Sequence, residues 1–358
     1  MTDPITLQAA VVDEAIALII TEAKTALVGR AITYDESLFE TNVTKSLNYL
    51  LDRSGVVVEG REAPTVEAAE PEEKRELVIG TKVPKNEDGF YNSPEFLKTF
   101  TWFVESSRAG RTTGTGLIVG PTGAGKTESV IRLAKQLDVP CYVMDMAANT
   151  TSEKFLGHKE VDASGTHYIQ SEFLRWVQGE EVEPGIVVLD EVTRTPPVNQ
   201  NVLFGLMDNR DAVFVPDMHV YIRKHPQTVF VATANIGGQF TGTFRMDAAF
   251  RSRFAYTWER DFPPHDAEVK VIVARTGLDA KWATKLVDVA TLIRKKANSG
   301  DLTDPVSTRQ LLNAARLMAD GASIEMAFDL CILPFYEKTD GTNDQRTLVR
   351  GILTGKVR

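Results

Sequence analysis

The sequence is poor in cysteine and histidine. Its two cysteines, Cys141 and Cys331, lie far apart and fit no metal-ligand spacing. Thiols this sparse suit a reducing compartment, so a cytoplasmic location is expected. His158, His167, His219 and His265 are not at ligand spacing either and read as structural or solvated. Long apolar runs are missing as well. The most apolar N-terminal stretch, Ala9 to Ile20, is broken by Asp13 and Glu14 and lacks a basic flank and a small-residue cleavage site, which excludes a signal peptide or membrane span there. Positive charge is in deficit: 40 Lys and Arg face 49 Asp and Glu, a net charge of −9. The molecule as a whole therefore repels nucleic acid and acidic membranes, leaving a local basic groove as the one route to a nucleic-acid partner.

What is present is the composition of an ordinary soluble protein, 43% apolar and 25% charged over 358 residues, enough for one large domain or two to three smaller ones. Residues 5 to 28 suggest a helix with Leu7, Val11, Ala15, Leu18 and Ile19 on one face. A second helix is expected from Glu36 to Leu51 and a strand from Val56 to Val58. These residues, 1–58, carry no recognisable chemistry and read as a small, mainly helical packing or oligomer-contact domain. Glu59 to Glu76 holds seven Glu and two Pro, with Val66 its only large aliphatic residue, so it cannot bury a core and reads as an acidic linker.

Beyond residue 77 the signals sharpen. Ser93 caps a helix that begins at Pro94. Strand signals at 141–146, 185–189, 228–234 and 254–258 alternate with helical ones, the pattern of a mostly parallel sheet covered on both faces. From Asp266 to Ile332 the pattern is wholly helical.

The densest chemistry is Gly120-Pro121-Thr122-Gly123-Ala124-Gly125-Lys126-Thr127, which follows the strand signal Gly116 to Val119 and precedes a helix opening at Glu128. Strand, glycine turn and helix in that order make a phosphate site. The glycines let backbone N–H groups converge on phosphate oxygens, and the helix N-terminus adds partial positive charge. Residues 120–128 are thus the candidate nucleotide-binding set. Lys126 would reach the β- and γ-phosphates, and the Thr127 hydroxyl would ligate Mg²⁺.

About 60 residues later, Ile186 to Leu189 is an apolar strand ending in Asp190 and Glu191. A buried strand that delivers carboxylates at its C-terminal edge puts them where open α/β sheets bind ligands. Asp190 would hold Mg²⁺ through its water shell, and Glu191 would polarise an attacking water. Val229 to Ala234 is another apolar strand, ending in Asn235, which could hydrogen-bond the γ-phosphate or the water held by Glu191. Arg251 and Arg253, just before a strand, cannot easily reach the phosphate loop of their own chain. They could serve a neighbour's nucleotide; surface ion pairs are the plain alternative. Ser307 or Thr308 caps a further helix, which puts Arg309 in a first turn where a cation is disfavoured unless it meets an anion.

Together these residues resemble the AAA+ ATPases: Gly120 to Thr127 the Walker A motif, Val187 to Glu191 Walker B, Asn235 sensor 1, Arg253 with Arg251 the arginine finger, and Arg309 sensor 2. The phrases Asp190 to Pro197, Phe262 to Val269 and Val306 to Leu312 are similar to the MoxR group, and within it to the CbbQ/NorQ activators and the cobaltochelatase CobS subunit. The resemblance covers residues 80 to 335. It implies an ATP- and Mg²⁺-dependent ATPase built on an α/β core with a five-stranded parallel sheet (77–262) and a helical lid (263–358). It further implies a ring, hexameric, with active sites between subunits, and a protein partner to remodel, in some family members together with a von Willebrand-type adaptor. The segment just upstream of the phosphate loop would contact the base. Two hairpins, at Gly157 to Gln170 and Asn209 to Lys224, would project toward the pore, and Thr150 with Glu153 would form a capping box for the helix before the first. Charges in both hairpins are mixed, whereas a pore that tracks DNA is expected to be more uniformly basic.

Overall fold

The structure, a computed structural model, describes residues 6–28, 39–40, 43–44, 57–59, 77, 80, 82–147, 151–162, 165–235, 246–337 and 344–357. It divides into two compact units, Met1–Glu76 and Leu77–Arg358. In the first, strand β1 (Thr6–Gln8) pairs in parallel with β2 (Val57–Glu59), and helix α1 spans Ala9–Val28. Among the residues of α1 whose burial is described, Val12 and Ile16 are buried, whereas Val11, Ala15, Leu18 and Ile19 of the expected apolar face are exposed; Leu7 belongs to β1. The cause is the sequence AAVVDEAIALII, which is apolar on several sides of the helix and so does not define one stripe. The expected second helix falls mostly outside the described residues, as does the acidic linker beyond Glu59.

The second unit is organised by a five-stranded, all-parallel sheet. Its strands are β3 (Thr115–Val119), β4 (Cys141–Asp145), β7 (Ile186–Asp190), β10 (Val229–Ala234) and β11 (Tyr256–Glu259), in the spatial order β11-β3-β10-β7-β4. The three central strands are buried on both faces, as their unbroken apolar runs require. Leu117, Val187, Leu189, Phe230 and Ala232 face one layer with Phe155, Phe173 and Leu203. The alternate residues Ile118, Val188 and Val231 face Phe96, Phe100 and Phe103 of α2 (Pro94–Arg108) and Val130 and Leu133 of α3 (Lys126–Gln136). Ser93 caps α2 as expected, accepting from the Phe96 N–H at 3.1 Å.

On the other layer lie α4 (Ser152–Leu156), α5 (Glu172–Gln178), α6 (Pro197–Met207) and the short α7 (Ala248–Arg251). The cap position of α4 falls on Thr151, which makes no side-chain cap bond; the anticipated capping residue Thr150 is outside the described residues. Two antiparallel hairpins leave this layer, β5 (Gly157–Asp162) with β6 (Gly165–Gln170) and β8 (Ala212–Val215) with β9 (Val220–Arg223). They touch through a Lys159–Asp217 ion pair of 3.0 Å, and they expose Val161 (75%) and Tyr221 (70%).

The C-terminal part is helical: α8 (His265–Thr276), α9 (Ala280–Asn298), α10 (Thr308–Ala319), α11 (Ile324–Cys331) and α12 (Gln345–Val357). They share a core of their own, with Leu286, Ile293, Leu311, Phe328 and Tyr336 fully or almost fully buried. Among the described residues no helix is long and apolar enough to cross a membrane.

Candidate active site

Because β3, β10 and β7 are adjacent and parallel, their C-terminal ends deliver three loops to one edge of the sheet. The phosphate loop follows β3, Asn235 follows β10, and Asp190 ends β7 with Glu191 directly after it. Asn235 therefore stands between the other two. That placement is the general ligand edge of an open parallel sheet.

The loop itself is held by close packing. A Cβ on Gly120 would lie 1.9 Å from the Arg260 carbonyl oxygen, so only glycine fits there. Gly123 has a φ of +76°, and its added Cβ would meet the Ser307 Cβ at 2.6 Å. Lys126 opens α3 and is only 7% exposed. Its ammonium donates to the Gly120 carbonyl (3.0 Å), the Pro121 carbonyl (2.9 Å) and the Asn235 side-chain oxygen (2.6 Å). Burial pulls its pKa down to about 8, against the pull of Glu191 and Asp190, with Arg260 and Arg309 adding to the depression. Relative to the ordinary 10.5 this is roughly 3 kcal/mol of cost on the charged form, which a polyphosphate beside the ammonium would offset.

The pH consequence has a definite sign. Below pH 8 the ammonium is already formed and affinity for a nucleoside triphosphate is expected to be flat. Above it, phosphate binding must take up a proton, and affinity falls by up to about tenfold per pH unit. The dissociation constant of a non-hydrolysable ATP analogue, measured from pH 7 to 9.5, checks this; Lys126→Arg is expected to abolish the break near 8.

Asp190 and Thr127 meet directly, the Thr127 hydroxyl donating to the Asp190 Oδ1. Thr233, a residue the motif reading did not single out, donates to the same oxygen at 2.5 Å and accepts from the Glu191 N–H at 2.9 Å. Its signal in the sequence is slight: it is the lone hydroxyl in the apolar run of β10. A hydroxyl and one carboxylate form the hard-oxygen donor set with which Mg²⁺ is held when phosphates and water complete the shell. No cluster of three or more His, Cys, Asp or Glu side chains suited to a metal occurs among the described residues. Glu191 adopts a left-handed backbone, φ +55°, rare for a non-glycine residue and found at functional turns. Its carboxylate pairs with Arg194 at 2.5 Å.

A cleft of about 260 Å³ opens beside the loop, lined by Phe90, Gly123, Glu128, Arg260, Arg275 and Arg309 among others. Glu128 is tied to Arg132 at 2.7 Å. Phe90 comes from the segment upstream of the loop, with Arg132 and Arg260 each about 5 Å from its ring centre. Arg260, also absent from the motif reading, ties three segments together. It donates to the Ala124 carbonyl (2.7 Å), the Asn92 side chain (2.6 Å) and the Tyr91 carbonyl (2.7 Å), and burial lowers its pKa to about 10.

The structure thus brings Lys126, Thr127, Glu128, Asp190, Glu191, Asn235 and Arg309 around one edge. Arg251 and Arg253 are elsewhere. The Arg253 carbonyl accepts from Thr115, which begins β3, whereas the phosphate loop leaves its other end, about 13 Å away by strand geometry. The Arg253 guanidinium lies 4.0 Å from the Phe204 ring centre and donates to the Ala249 carbonyl at 2.6 Å. Arg251 is exposed, and its side chain makes no hydrogen bond or ion pair among the described residues.

A phosphate loop on an all-parallel sheet, joined to a helical lid that reaches back over it, defines a P-loop ATPase of the AAA+ class. Comparison with known proteins agrees: residues 116–254 match the AAA domain (dynein-related subfamily), and residues 268–350 match the CbbQ/NirQ/NorQ C-terminal domain. An AAA domain followed by a CbbQ/NirQ/NorQ C-terminal domain supports a MoxR-type AAA+ ATPase. It is 29% identical to a putative chaperone, BssE, of Thauera aromatica over 59% of this chain and 71% of that protein. It is also 29% identical to the denitrification regulatory protein NirQ of Stutzerimonas stutzeri (60% and 76%) and 28% identical to the gas vesicle ATPase GvpN of Ancylobacter aquaticus (67% and 74%).

Proposed function

We propose that this chain is an ATP-hydrolysing motor that works as a hexameric ring in the cytoplasm and remodels or activates a protein partner. The observation that carries the reading is the arrangement of Lys126, Asp190, Glu191 and Asn235 on three adjacent strand ends, with the two candidate finger arginines out of reach. Lys126 and the loop N–H groups bind the phosphates. Thr127 and Asp190 hold Mg²⁺, which when bound neutralises charge on the β- and γ-phosphates. Glu191 orients and deprotonates the attacking water, and Asn235 contacts that water or the γ-phosphate. Arg309 closes the lid over the phosphates. Arg253, with Arg251 beside it, serves the nucleotide of the next copy. Coupling of nucleotide state to the partner runs through the lid angle and the two hairpins.

A protein partner is favoured by two features. The hairpins expose Val161, Phe214, Met218 and Tyr221, apolar side chains suited to polypeptide rather than phosphate backbone. The similar proteins are named as a chaperone and as regulators. ATP turnover measured with single- and double-stranded DNA across a salt series tests the choice. No stimulation is expected; strong stimulation that fades steeply with salt would make the chain a nucleic-acid motor instead.

A further inference from the structure

We propose that Glu268 is a positioning residue for nucleotide sensing: with Arg294 and Thr308 it fixes the start of α10 and so places Arg309 over the phosphates. The inference rests on the reading of Arg309 as a phosphate sensor.

Glu268 lies in the first turn of α8 and is fully buried. Three donors converge on its carboxylate. Arg294 of α9 gives a bidentate pair, one guanidinium N–H to Oε2 at 2.6 Å and the other to Oε1 at 2.8 Å, and the Thr308 hydroxyl donates to Oε1 at 2.6 Å. The Arg294 Nε–H donates to the Val306 carbonyl at 2.9 Å. The guanidinium also lies 3.9 Å from the ring centre of Phe262, in the segment that joins β11 to the lid. Val306 and Thr308 flank the helix cap Ser307, so the pair holds the start of α10 from both sides of the cap.

In front, Ser307 touches the phosphate loop. Its Cβ is the atom that a side chain at Gly123 would strike, and its own geometry is set by a capping box with Gln310. Arg309 is the next residue but one. Its guanidinium makes no hydrogen bond or ion pair among the described residues, so its placement comes from the backbone of the helix that carries it.

A buried ion pair is weak as a source of stability, since apolar residues of the same volume usually do as well or better. What a greasy contact cannot supply is angular register. Successive helix positions are rotated by about 100°, so a slip of one residue at the start of α10 would swing Arg309 out of the cleft. The Thr308 hydroxyl and the Val306 carbonyl, held by one carboxylate and its guanidinium partner, prevent that slip.

The test compares binding of ATPγS and ADP to the full chain by competition with a fluorescent nucleotide, with melting temperatures as a check on folding. Arg309→Ala is expected to reduce the preference for ATPγS over ADP about tenfold, a typical coupling between sites. Glu268→Gln is expected to show the same loss, and the double variant no further loss. Thr308→Val keeps the ion pair and deletes only the tether, so it remains informative if Glu268→Gln does not fold; it is expected to lose part of the same preference. A folded Glu268→Gln or Thr308→Val protein that keeps the full preference overturns the proposal, as does a Glu268 effect that adds in full to that of Arg309→Ala. Unchanged preference in Arg309→Ala would instead sink the sensor reading on which the proposal rests.

Discussion

Glu191→Gln is expected to leave ATP bound and turnover reduced by about 10³-fold, within the range that a positioned general base contributes. The amide keeps the size of the side chain but cannot take a proton from water. It also keeps an oxygen that can accept from Arg194, which pairs with Glu191 at 2.5 Å, so the left-handed turn at 191 is expected to survive. Phosphate contacts depend on Lys126 and the loop, which the change does not touch, so the Kd for ATP should move little. Steady-state phosphate release and equilibrium binding of a fluorescent ATP analogue separate the two quantities. Loss of both together would mean that residue 191 supports the loop and not the chemistry. The trapped ATP-bound form is also the species from which a partner is best recovered.

The second large effect is expected from the arginines. Arg253→Ala and Arg251→Ala proteins are each expected to bind ATP normally, and the one that lacks the finger to lose about 10³-fold or more in turnover, the scale of an arginine that reaches a transferring phosphoryl. The sequence does not choose between them, and the structure gives them different surroundings. Arg253 is stacked on Phe204 and hydrogen-bonded to Ala249 of its own chain, whereas Arg251 is exposed. Mixing settles where the guanidinium acts. An Arg253→Ala, Arg251→Ala double variant and a Lys126→Ala variant, each inactive alone, are expected to regain measurable turnover together, because a mixed ring contains interfaces with an intact loop on one side and intact arginines on the other. Failure of every mixing ratio to restore activity, with mixed rings shown to form, would mean that the site is completed within one chain.

The fold was legible where periodicity and local chemistry coincide. Strand, glycine turn and helix at 116–137 announced both the phosphate loop and the strand beneath it, and the two-sided apolar runs of β7 and β10 announced a buried parallel sheet. The order of those strands has no local signature; it places Asn235 between Lys126 and Asp190, a relation between residues far apart in the chain. The same limit hid Arg260 and the Glu268–Arg294 pair. Glu268 in a first helical turn reads as an exposed partner of the helix dipole, and only the packing of α8 on α9 and α10 turns it into a buried carboxylate. On α1 the sequence misled for the opposite reason: too many apolar positions made the wrong stripe look right.

Arg260 and Phe262 are two residues apart, and the first grips the phosphate loop while the second lies against Arg294. The chain between them therefore links the phosphate loop directly to α9. From Arg294 back to its start at Ala280, α9 runs about 21 Å. A tilt of about 10° there would carry the start of α9 by about 4 Å, so small rearrangements around the phosphate loop would become large ones at the far side of the helical domain.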